Sequence, residues 1–346
     1  MAQSIPSGDN SMLRDTVSTR HIGRVERFLG PDNYRILLGL IKTPASIAGS
    51  TIILLFVLVA IFAPVIIPPV NKNDPYSIPR DGFKSDPQPV GAEWRRNVPD
   101  LPFWYTPLTG KTKWVHIMGT SEGQYDIFYG VIWGTRTAFV ASILVTFSTV
   151  IIGIIYGAIA AYYGGIVDMV LMRIVDVLSI LPGILAALIL AAVLTPTLGK
   201  STIPVMIALI AFGWMGYARF IRADILSVRE RDYILAARVV GVKDSRILFQ
   251  HILPNAIFPT IILASLAIGD VILSFAGLSF LGIGAEIGYA DWGQLISFAR
   301  NWITSLNTYW YIIVFPGFVL VLYVMGWNLI GDALRDVLDP RMRGKT

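Results

Sequence analysis

Six long windows with almost no charged side chains constrain the fold of this chain more than any other feature. They are residues 43–71, 137–167, 177–199, 201–218, 252–285 and 301–331, and only Asp270 interrupts the fifth. A helix needs about 20 apolar residues to cross the hydrocarbon core of a bilayer. Only 15% of the residues are charged, whereas soluble domains carry about 25%. The sequence therefore predicts an all-α membrane protein with about six transmembrane helices.

The windows divide the chain into segments in a predicted order. We expect a cytoplasmic N-terminal segment with an amphipathic lead-in, a first transmembrane helix, and then a long extracytoplasmic loop. A transmembrane core follows, with a polar loop inside it, and the chain ends in a cytoplasmic tail. The predicted boundaries are 1–46, 47–67, 68–133, 134–331 (with the polar loop at 224–255) and 332–346.

The positions of Lys and Arg indicate which side of the membrane each loop faces. Basic residues collect in three segments, 20–42, 229–246 and 335–345. With six spans all three segments lie on one side, and the opposite short loops hold only Lys200 and Arg300. Short cytoplasmic loops carry the excess of positive charge, whereas long translocated loops are exempt from this rule. We therefore expect a multi-pass protein with both termini in the cytoplasm.

Several classes of function are excluded by what the sequence lacks. There is no Cys, and the three His residues are scattered, so we expect neither a disulfide framework nor a metal site. The chain has no phosphate-binding Gly-Lys-Ser/Thr loop, no His-Glu-x-x-His motif and no Gly-x-Ser-x-Gly elbow. We expect no catalytic residue and no bound cofactor. The net charge of +5 follows from membrane topology and gives no reason to expect a nucleic acid partner.

Two interpretations are open for the long extracytoplasmic loop. It holds nine Pro residues between Pro68 and Pro107, and many prolines disfavour helix. It also holds Trp94, Trp104 and Trp114. These aromatic side chains could pack inside an ordered cap on the outer face. They could equally lie at the membrane interface, where Trp and Tyr are enriched.

The polar loop inside the transmembrane core has a helical pattern. Residues 233–240 predict a short helix, and Gly241 can adopt the left-handed conformation that ends one. Asp244 is a suitable N-cap for a second short helix at 245–252, which Pro254 would stop.

Small side chains lie near the turn of this predicted helix pair. Ala236 and Ala237 would form a flat patch that lets a partner approach the backbone closely. Asp232 and Arg238 are among the charged residues around the patch, and they suit a cytosolic protein partner. We therefore expect this loop to be a docking surface.

Asp270 is the one charged residue deep inside a predicted span. Acidic residues inside a membrane are costly, and most of those that occur have a function. Asp270 could line a translocation path or bind a cation. Alternatively, it could pair with a hydroxyl, a backbone group or a partner subunit at a helix interface.

The polar loop resembles a known motif. Ala-Ala-x-x-x-Gly at 236–241, followed by His-Ile-Leu-Pro at 251–254, is similar to the coupling motif of binding-protein-dependent ABC import permeases. In that family the motif lies on coupling helices that dock in a cleft of the ATP-hydrolysing subunits. Leu235 departs from the pattern, because the family usually has Glu there. The resemblance implies an ATPase-coupling site made of Asp232, Ala236, Ala237, Arg238, Gly241, Asp244, His251 and Pro254.

Other segments resemble one subfamily, the second permease of dipeptide and oligopeptide importers. They are residues 48–69, His-Ile-Met-Gly-Thr-Ser-Glu-Gly-Gln-Tyr-Asp at 116–126, Leu-Ser-Phe-Leu-Gly-Ile-Gly at 278–284, Asp-Trp-Gly at 291–293, and 331–341. Two features differ from the group: residues 70–113 are longer than expected, and Phe275 stands where many relatives carry Glu. The longer segment is expected to shape contact with a substrate-binding protein.

The resemblance implies a function that the residues alone do not give. It implies a permease subunit in a prokaryotic cytoplasmic membrane, which pairs with a second permease, two ABC ATPase subunits and an extracytoplasmic binding protein. ATP and magnesium would be held by the ATPase subunits. Peptides are the expected substrate, with oligosaccharides and nickel chelates as alternatives within the family. A secondary transporter or a membrane scaffold is the alternative outside it.

Overall fold

The computed structural model describes residues 43–82 and 84–338, without the side chains of residues 244, 245, 337 and 338. Most of the predicted segment 1–46 and the end of the predicted tail 332–346 lie outside the described residues. Five described helices are long and apolar enough to cross a membrane, and a bent helix pair adds a sixth crossing if it counts as one span. The predicted all-α membrane fold is confirmed.

The long helices carry the bundle, and short helices lie in the connections. The long ones are α1 (Pro44–Ile66), α3 (Ile127–Tyr163), α6 (Ile203–Arg229), α9 (Leu253–Phe280) and α12 (Tyr311–Leu338). The bent pair is α4 (Gly165–Leu178) and α5 (Gly183–Leu198). The short ones are α2 (Tyr105–Thr109), α7 (Asp232–Val239), α8 (Asp244–Ile247), α10 (Trp292–Ser297) and α11 (Leu306–Tyr309).

The second span begins earlier than the sequence predicts. α3 starts at Ile127, so the preceding loop ends before the predicted position 133. Asp126 caps this helix, because its Oδ1 accepts a hydrogen bond of 2.6 Å from the backbone N–H of Tyr129. The charge of Arg136 conceals the start in the sequence. In the structure its Nε donates to a backbone carbonyl of α1 at 2.7 Å, which satisfies the guanidinium inside the bundle.

α6 continues past the end of its charge-free window for a similar reason. Arg219 donates to Asp176 at 3.1 Å, and Arg222 donates through two nitrogens to Asp168; both carboxylates belong to α4. The helix therefore carries these charges against a neighbouring helix instead of ending before them. Residues 224–229, which the sequence assigns to the polar loop, form the last turns of α6.

The bent helix pair changes direction sharply between α4 and α5. The two helix axes differ by 79°, and the break ends at Pro182, which holds the N-cap position of α5. Proline has no N–H to donate to the preceding turn, so it ends α4 and allows the new direction. α5 lies within the predicted window at 177–199, whereas α4 is an additional amphipathic helix before it.

α3 packs more extensively against α6 than any other pair of described helices does. Gly153 and Gly157 make this possible, because they lie one turn apart on the face of α3 that meets α6. A Cβ atom at either position would come within 3.0 Å of atoms of α6, including the backbone oxygen of Trp214 and that of Ala218. Small residues four apart let membrane helices approach closely. This contact sets the spacing of the central helices.

Residues 68–82 and 84–126 form a cap on one end of the bundle. Trp94 and Trp114 are buried inside it, which supports the cap interpretation over the interface interpretation for these two residues. The cap is tied to the loop after α9, because the Ile78 N–H donates to the Gly288 carbonyl at 2.7 Å. The predicted extra segment therefore packs on the transmembrane helices.

A buried polar network joins the cap to the start of α3. His116 Nδ1 lies 2.7 Å from Asp126 Oδ2, and its Nε2 lies 3.5 Å from Asp81 Oδ2. Burial opposes the charge of Asp81, but hydrogen bonds from two backbone N–H groups and Gln88, with His116 nearby, hold its pKa below its usual value. The ionised carboxylate is thus the stable form, and it organises the cap around itself.

Candidate functional site

The polar loop folds into a helix, a tight turn and a second helix. Gly241 follows α7 and adopts the predicted left-handed conformation, with φ of 84°. The Val242 N–H donates to the Ala237 carbonyl at 3.1 Å, and the Gly241 N–H donates to the Arg238 carbonyl at 2.9 Å. These bonds satisfy carbonyls at the end of α7 and fix the turn.

The second helix differs from the prediction. The Lys243 carbonyl accepts the N–H groups three and four residues later at 2.9 and 3.1 Å, so the helix begins at Asp244, whose side chain lies outside the described part. The chain then continues through a π turn at Leu248–Ile252 directly into α9. Pro254 therefore lies in the first turn of α9 and does not stop the helix. The first turn of a helix tolerates proline because its N–H needs no intrahelical partner.

One face of residues 232–252, which we call the docking loop, is buried against the spans. Ile234 is fully buried, and Ile247 is buried almost as completely. They belong to a compact apolar cluster made of Ala161, Ile221, Ile225, Val228, Ile234, Ile247, Leu248, Ile252 and Ala256. The cluster holds the docking loop firmly to the ends of α3, α6 and α9.

The opposite face of the docking loop exposes large apolar side chains. Val239 and Val240 are 88% and 82% exposed, and Phe249 is 65% exposed. Exposed apolar patches of this kind are typical of surfaces that contact another protein or the membrane. The exposure of these three residues was not predicted from the sequence, because an apolar residue in a helical pattern normally indicates the core.

The residues that the sequence predicts for this site lie on the docking loop or at its end. Asp232, Arg238 and His251 are exposed. Ala236 is exposed and Ala237 half-buried, so the predicted small patch lies at the surface. Only Asp244 has a side chain outside the described part. Pro254 lies at the surface, as the second residue of α9. Their coupling role remains a prediction.

Asp270 lines a cavity inside the bundle. The cavity has a volume of about 250 Å³, and α3, α5, α6 and α9 form its walls. Tyr217, Thr149 and Ser274 contribute polar atoms to the lining, and Gly183 opens the wall at the start of α5. The Asp270 side chain is exposed in this chain. The geometry brings an acidic group and hydroxyl groups to one cavity within the bundle.

A larger cavity lies between the cap and the end of the bundle that the cap covers. Its volume is about 740 Å³, and its lining includes Arg80, Lys200, Arg300 and Glu122. Arg80 Nε donates to the Gly123 carbonyl at 2.8 Å, and the guanidinium of Arg300 lies 4.3 Å from the centre of the Phe280 ring. The lining of this open cavity therefore carries three positive charges and one negative charge.

Asp291 is a buried acid next to this cavity. It caps α10, because its Oδ1 accepts the Gly293 N–H at 2.9 Å, and its Oδ2 has no hydrogen-bond partner in the described residues. Burial raises the pKa of Asp291 to about 6, although the nearby Ser279 hydroxyl and backbone N–H groups at the start of α10 oppose the shift. The native state thus binds a proton on Asp291 more readily than the unfolded chain does.

Replacement of Asp291 with Asn is expected to remove a pH dependence of stability. Between the ordinary pKa of 3.8 and about 6 the native carboxyl is protonated and the unfolded one is not, so wild-type stability increases as the pH falls through this window. The gain is at most about 3 kcal/mol. Asn caps a helix as well as Asp. Thermal unfolding in detergent from pH 8 to 4 tests this; an equal pH dependence in both proteins would contradict it.

Comparisons with known proteins agree with this geometry. The family model "Binding-protein-dependent transport system inner membrane component" matches residues 150–344. A dipeptide transport system permease protein from Alkalihalophilus pseudofirmus is 34% identical over 302 residues, which cover 87% of this chain and 88% of that protein. A probable D,D-dipeptide transport system permease protein from Escherichia coli is 31% identical over 96% of this chain and 99% of its own length. A glutathione transport system permease protein from Pectobacterium atrosepticum is 35% identical over 70% of this chain and 78% of its own length.

Proposed function

Because the chain belongs to the family of binding-protein-dependent transport system inner membrane components, we propose that it is the transmembrane permease subunit of an ABC importer for peptides. The relatives are named for dipeptides, D,D-dipeptides and glutathione, which supports peptides over oligosaccharides or nickel chelates. The family also favours an ATP-driven importer over a secondary transporter or a scaffold. In this role the chain forms half of the translocation path and does not hydrolyse ATP itself.

The docking loop is the observation that carries the coupling part of this proposal. Its exposed face presents Val239, Val240 and Phe249, which suit an apolar cleft on an ATPase subunit. Its buried face packs on α3, α6 and α9. A partner that moves the exposed face therefore moves the ends of three helices. ATP and magnesium would be held entirely by two ABC ATPase subunits.

The two ends of the bundle would face opposite sides of the membrane and bind different partners. The docking loop and both termini would lie in the cytoplasm, and the cap would lie outside a prokaryotic inner membrane. A substrate-binding protein would deliver the peptide to the cationic cavity beneath the cap, which suits a ligand with a free carboxylate. A second permease would complete the path beside the cavity lined by Asp270.

Reconstitution tests the proposal directly. The chain is co-expressed with its partner permease and ATPase subunits, purified, and placed in proteoliposomes with the cognate binding protein and a labelled dipeptide. We expect accumulation that needs both ATP and the binding protein, and that unlabelled peptides suppress whereas an oligosaccharide or a nickel chelate does not. Uptake driven by an ion gradient without the ATPase subunits would instead identify a secondary transporter.

Replacement of Asp270 with Asn is expected to lower peptide uptake by about tenfold, which corresponds to about 1.4 kcal/mol. The reason is that the change removes the negative charge from a cavity on the proposed path while it keeps the size of the side chain. Initial uptake rates in proteoliposomes provide the measurement.

Ser274→Ala is the matched control, because Ser274 lines the same cavity but its Oγ donates to the backbone carbonyl of Asp270 at 2.9 Å. We expect the control to retain most of the uptake. An Asp270→Asn variant that transports as fast as the wild type would rule out a role in the path.

A further inference from the structure

The cap carries an apolar patch around α2. Phe103 and Leu108 are 78% and 77% exposed, which places them among the most exposed large apolar side chains of the described residues. Tyr105 lies between them in sequence but is fully buried, with its ring centre 4.4 Å from that of Trp114. The buried ring fixes α2 on the cap, which holds Leu108 on the helix and Phe103 in the turn just before it.

A hydrogen bond sets the level of this patch along the membrane normal. Trp104 Nε1 donates to the carbonyl of Ile66, the last residue of α1, at 3.0 Å. α1 has 23 residues, which extend over about 34 Å, and the hydrocarbon core is about 30 Å thick. The end of α1 therefore lies at the boundary between hydrocarbon and headgroups. Trp104, with one polar edge and an apolar body, is typical of that boundary.

The surroundings of the patch favour lipid over a protein as its occupant. The last turns of α1, to which Trp104 is hydrogen-bonded, also expose apolar side chains, with Ile61 at 59% and Phe62 at 50%, as a span does toward lipid. Asp100 and Lys111, both exposed, flank it with opposite charges. The flanks thus have no net charge that would select an acidic or a basic protein.

We propose that α2 anchors the cap to the membrane, with Phe103 and Leu108 inserted among the lipids of the leaflet at the outer end of α1. A helix of this size adds little area, but it acts together with the covalent link to α1 and the Trp104 hydrogen bond. The anchor would hold the cap at a constant height while the transmembrane helices move.

The absence of Cys from the chain allows a direct test by site-directed spin labelling. Phe103→Cys and Leu108→Cys are labelled with a nitroxide in the assembled importer in nanodiscs of phosphatidylethanolamine and phosphatidylglycerol. Accessibility to oxygen, which concentrates in lipid, is compared with accessibility to a water-soluble nickel chelate. We expect the ratio of oxygen to nickel accessibility at both positions to be several-fold higher than at a control position in the same cap.

Ser85→Cys is the matched control, because Ser85 is also exposed but lies further from the membrane. Trp133 Nε1 donates to the Ile67 carbonyl at 3.1 Å, which places residue 133 level with the end of α1. The Ser85 carbonyl accepts a hydrogen bond from the Gly123 N–H. Gly123 precedes the start of α3, on the side of Trp133 that faces away from the membrane, so Ser85 lies on that side as well.

Three outcomes would overturn the proposal. Nickel accessibility at 103 and 108 equal to that at Ser85 would show that the patch faces water. Protection that appears only after the binding protein is added would show that the patch is its docking site. Protection from both reagents, unchanged when detergent replaces the nanodisc, would show contact with another subunit. Normal elution of the labelled complexes in gel filtration confirms that the substitutions are tolerated.

Discussion

Replacement of Gly241 with Arg is expected to abolish ATP-driven uptake while the chain still folds and inserts. Apart from its two chain neighbours, no atom of the described residues lies within 4 Å of a Cβ placed at Gly241, so a side chain can leave the backbone there without a clash. The left-handed backbone adds about 1–2 kcal/mol of strain, which is small against a typical stability of about 5–15 kcal/mol. The new side chain projects beside Val240 into the space of the proposed ATPase cleft. Burying it there would cost about 2–4 kcal/mol of binding, and uptake should fall by about a hundredfold.

Gly241→Asn separates this effect from backbone strain. Asn adopts the left-handed conformation more readily than other residues with a side chain, and it is short and uncharged. We expect the Asn variant to retain most of the uptake and to co-purify with the ATPase subunits, whereas the Arg variant does neither. Equal losses of uptake in both variants would show that backbone strain at residue 241 is the cause. Normal co-purification of the Arg variant with the ATPase subunits would contradict a coupling role for the docking loop.

Replacement of Gly157 with Val is expected to prevent formation of a stable bundle. A Cβ at this position would lie within 3.0 Å of the Ala218 backbone oxygen and of the Ile221 side chain. Backbone atoms cannot rotate away, so α3 and α6 would have to separate along the largest helix–helix contact of the described chain. Overpacking costs about 1–3 kcal/mol and occasionally more. We expect the loss of stability in this variant to reach the upper end of that range, and extraction in mild detergent to yield little monodisperse protein.

Gly216→Val provides the control for this prediction. Gly216 lies on α6, and no atom outside the neighbouring helical backbone lies within 4 Å of a Cβ placed there. The same substitution therefore adds the same apolar volume without a clash. We expect near wild-type yield and thermal stability for Gly216→Val. Similar stability of the two variants would mean that α3 and α6 tolerate a wider separation than the structure shows.

The spans were predictable because hydrocarbon tolerates few charges, and charge-free windows are visible in a single sequence. The ends of the spans were not predictable, because groups on other helices pair with several charged residues inside the spans. Arg136 bonds to a carbonyl of α1, and Arg219 and Arg222 pair with carboxylates of α4. Such pairs form between segments far apart in sequence, so a reading along the chain ends the helices too early.

The docking loop shows the same division between local and distant effects. The turn at Gly241 was predictable, since glycine at the end of a helix adopts the left-handed conformation for local reasons. The exposure of Val240 and Phe249 was not predictable from the sequence. It depends on which face of the docking loop packs against the apolar cluster beneath it. The position of Asp270 on a cavity likewise depends on four helices meeting, which no local pattern encodes.

The passage from α8 through the π turn into α9 makes residues 244–280 one uninterrupted rod. At 1.5 Å per residue its length is about 55 Å, and Asp270 lies nearer its far end. Pro259 lies inside this segment and a π turn lies near its start, so the segment can bend as well as tilt. We therefore expect a displacement of the docking loop to reach the cavity lined by Asp270 through continuous helix, without a connecting loop between them.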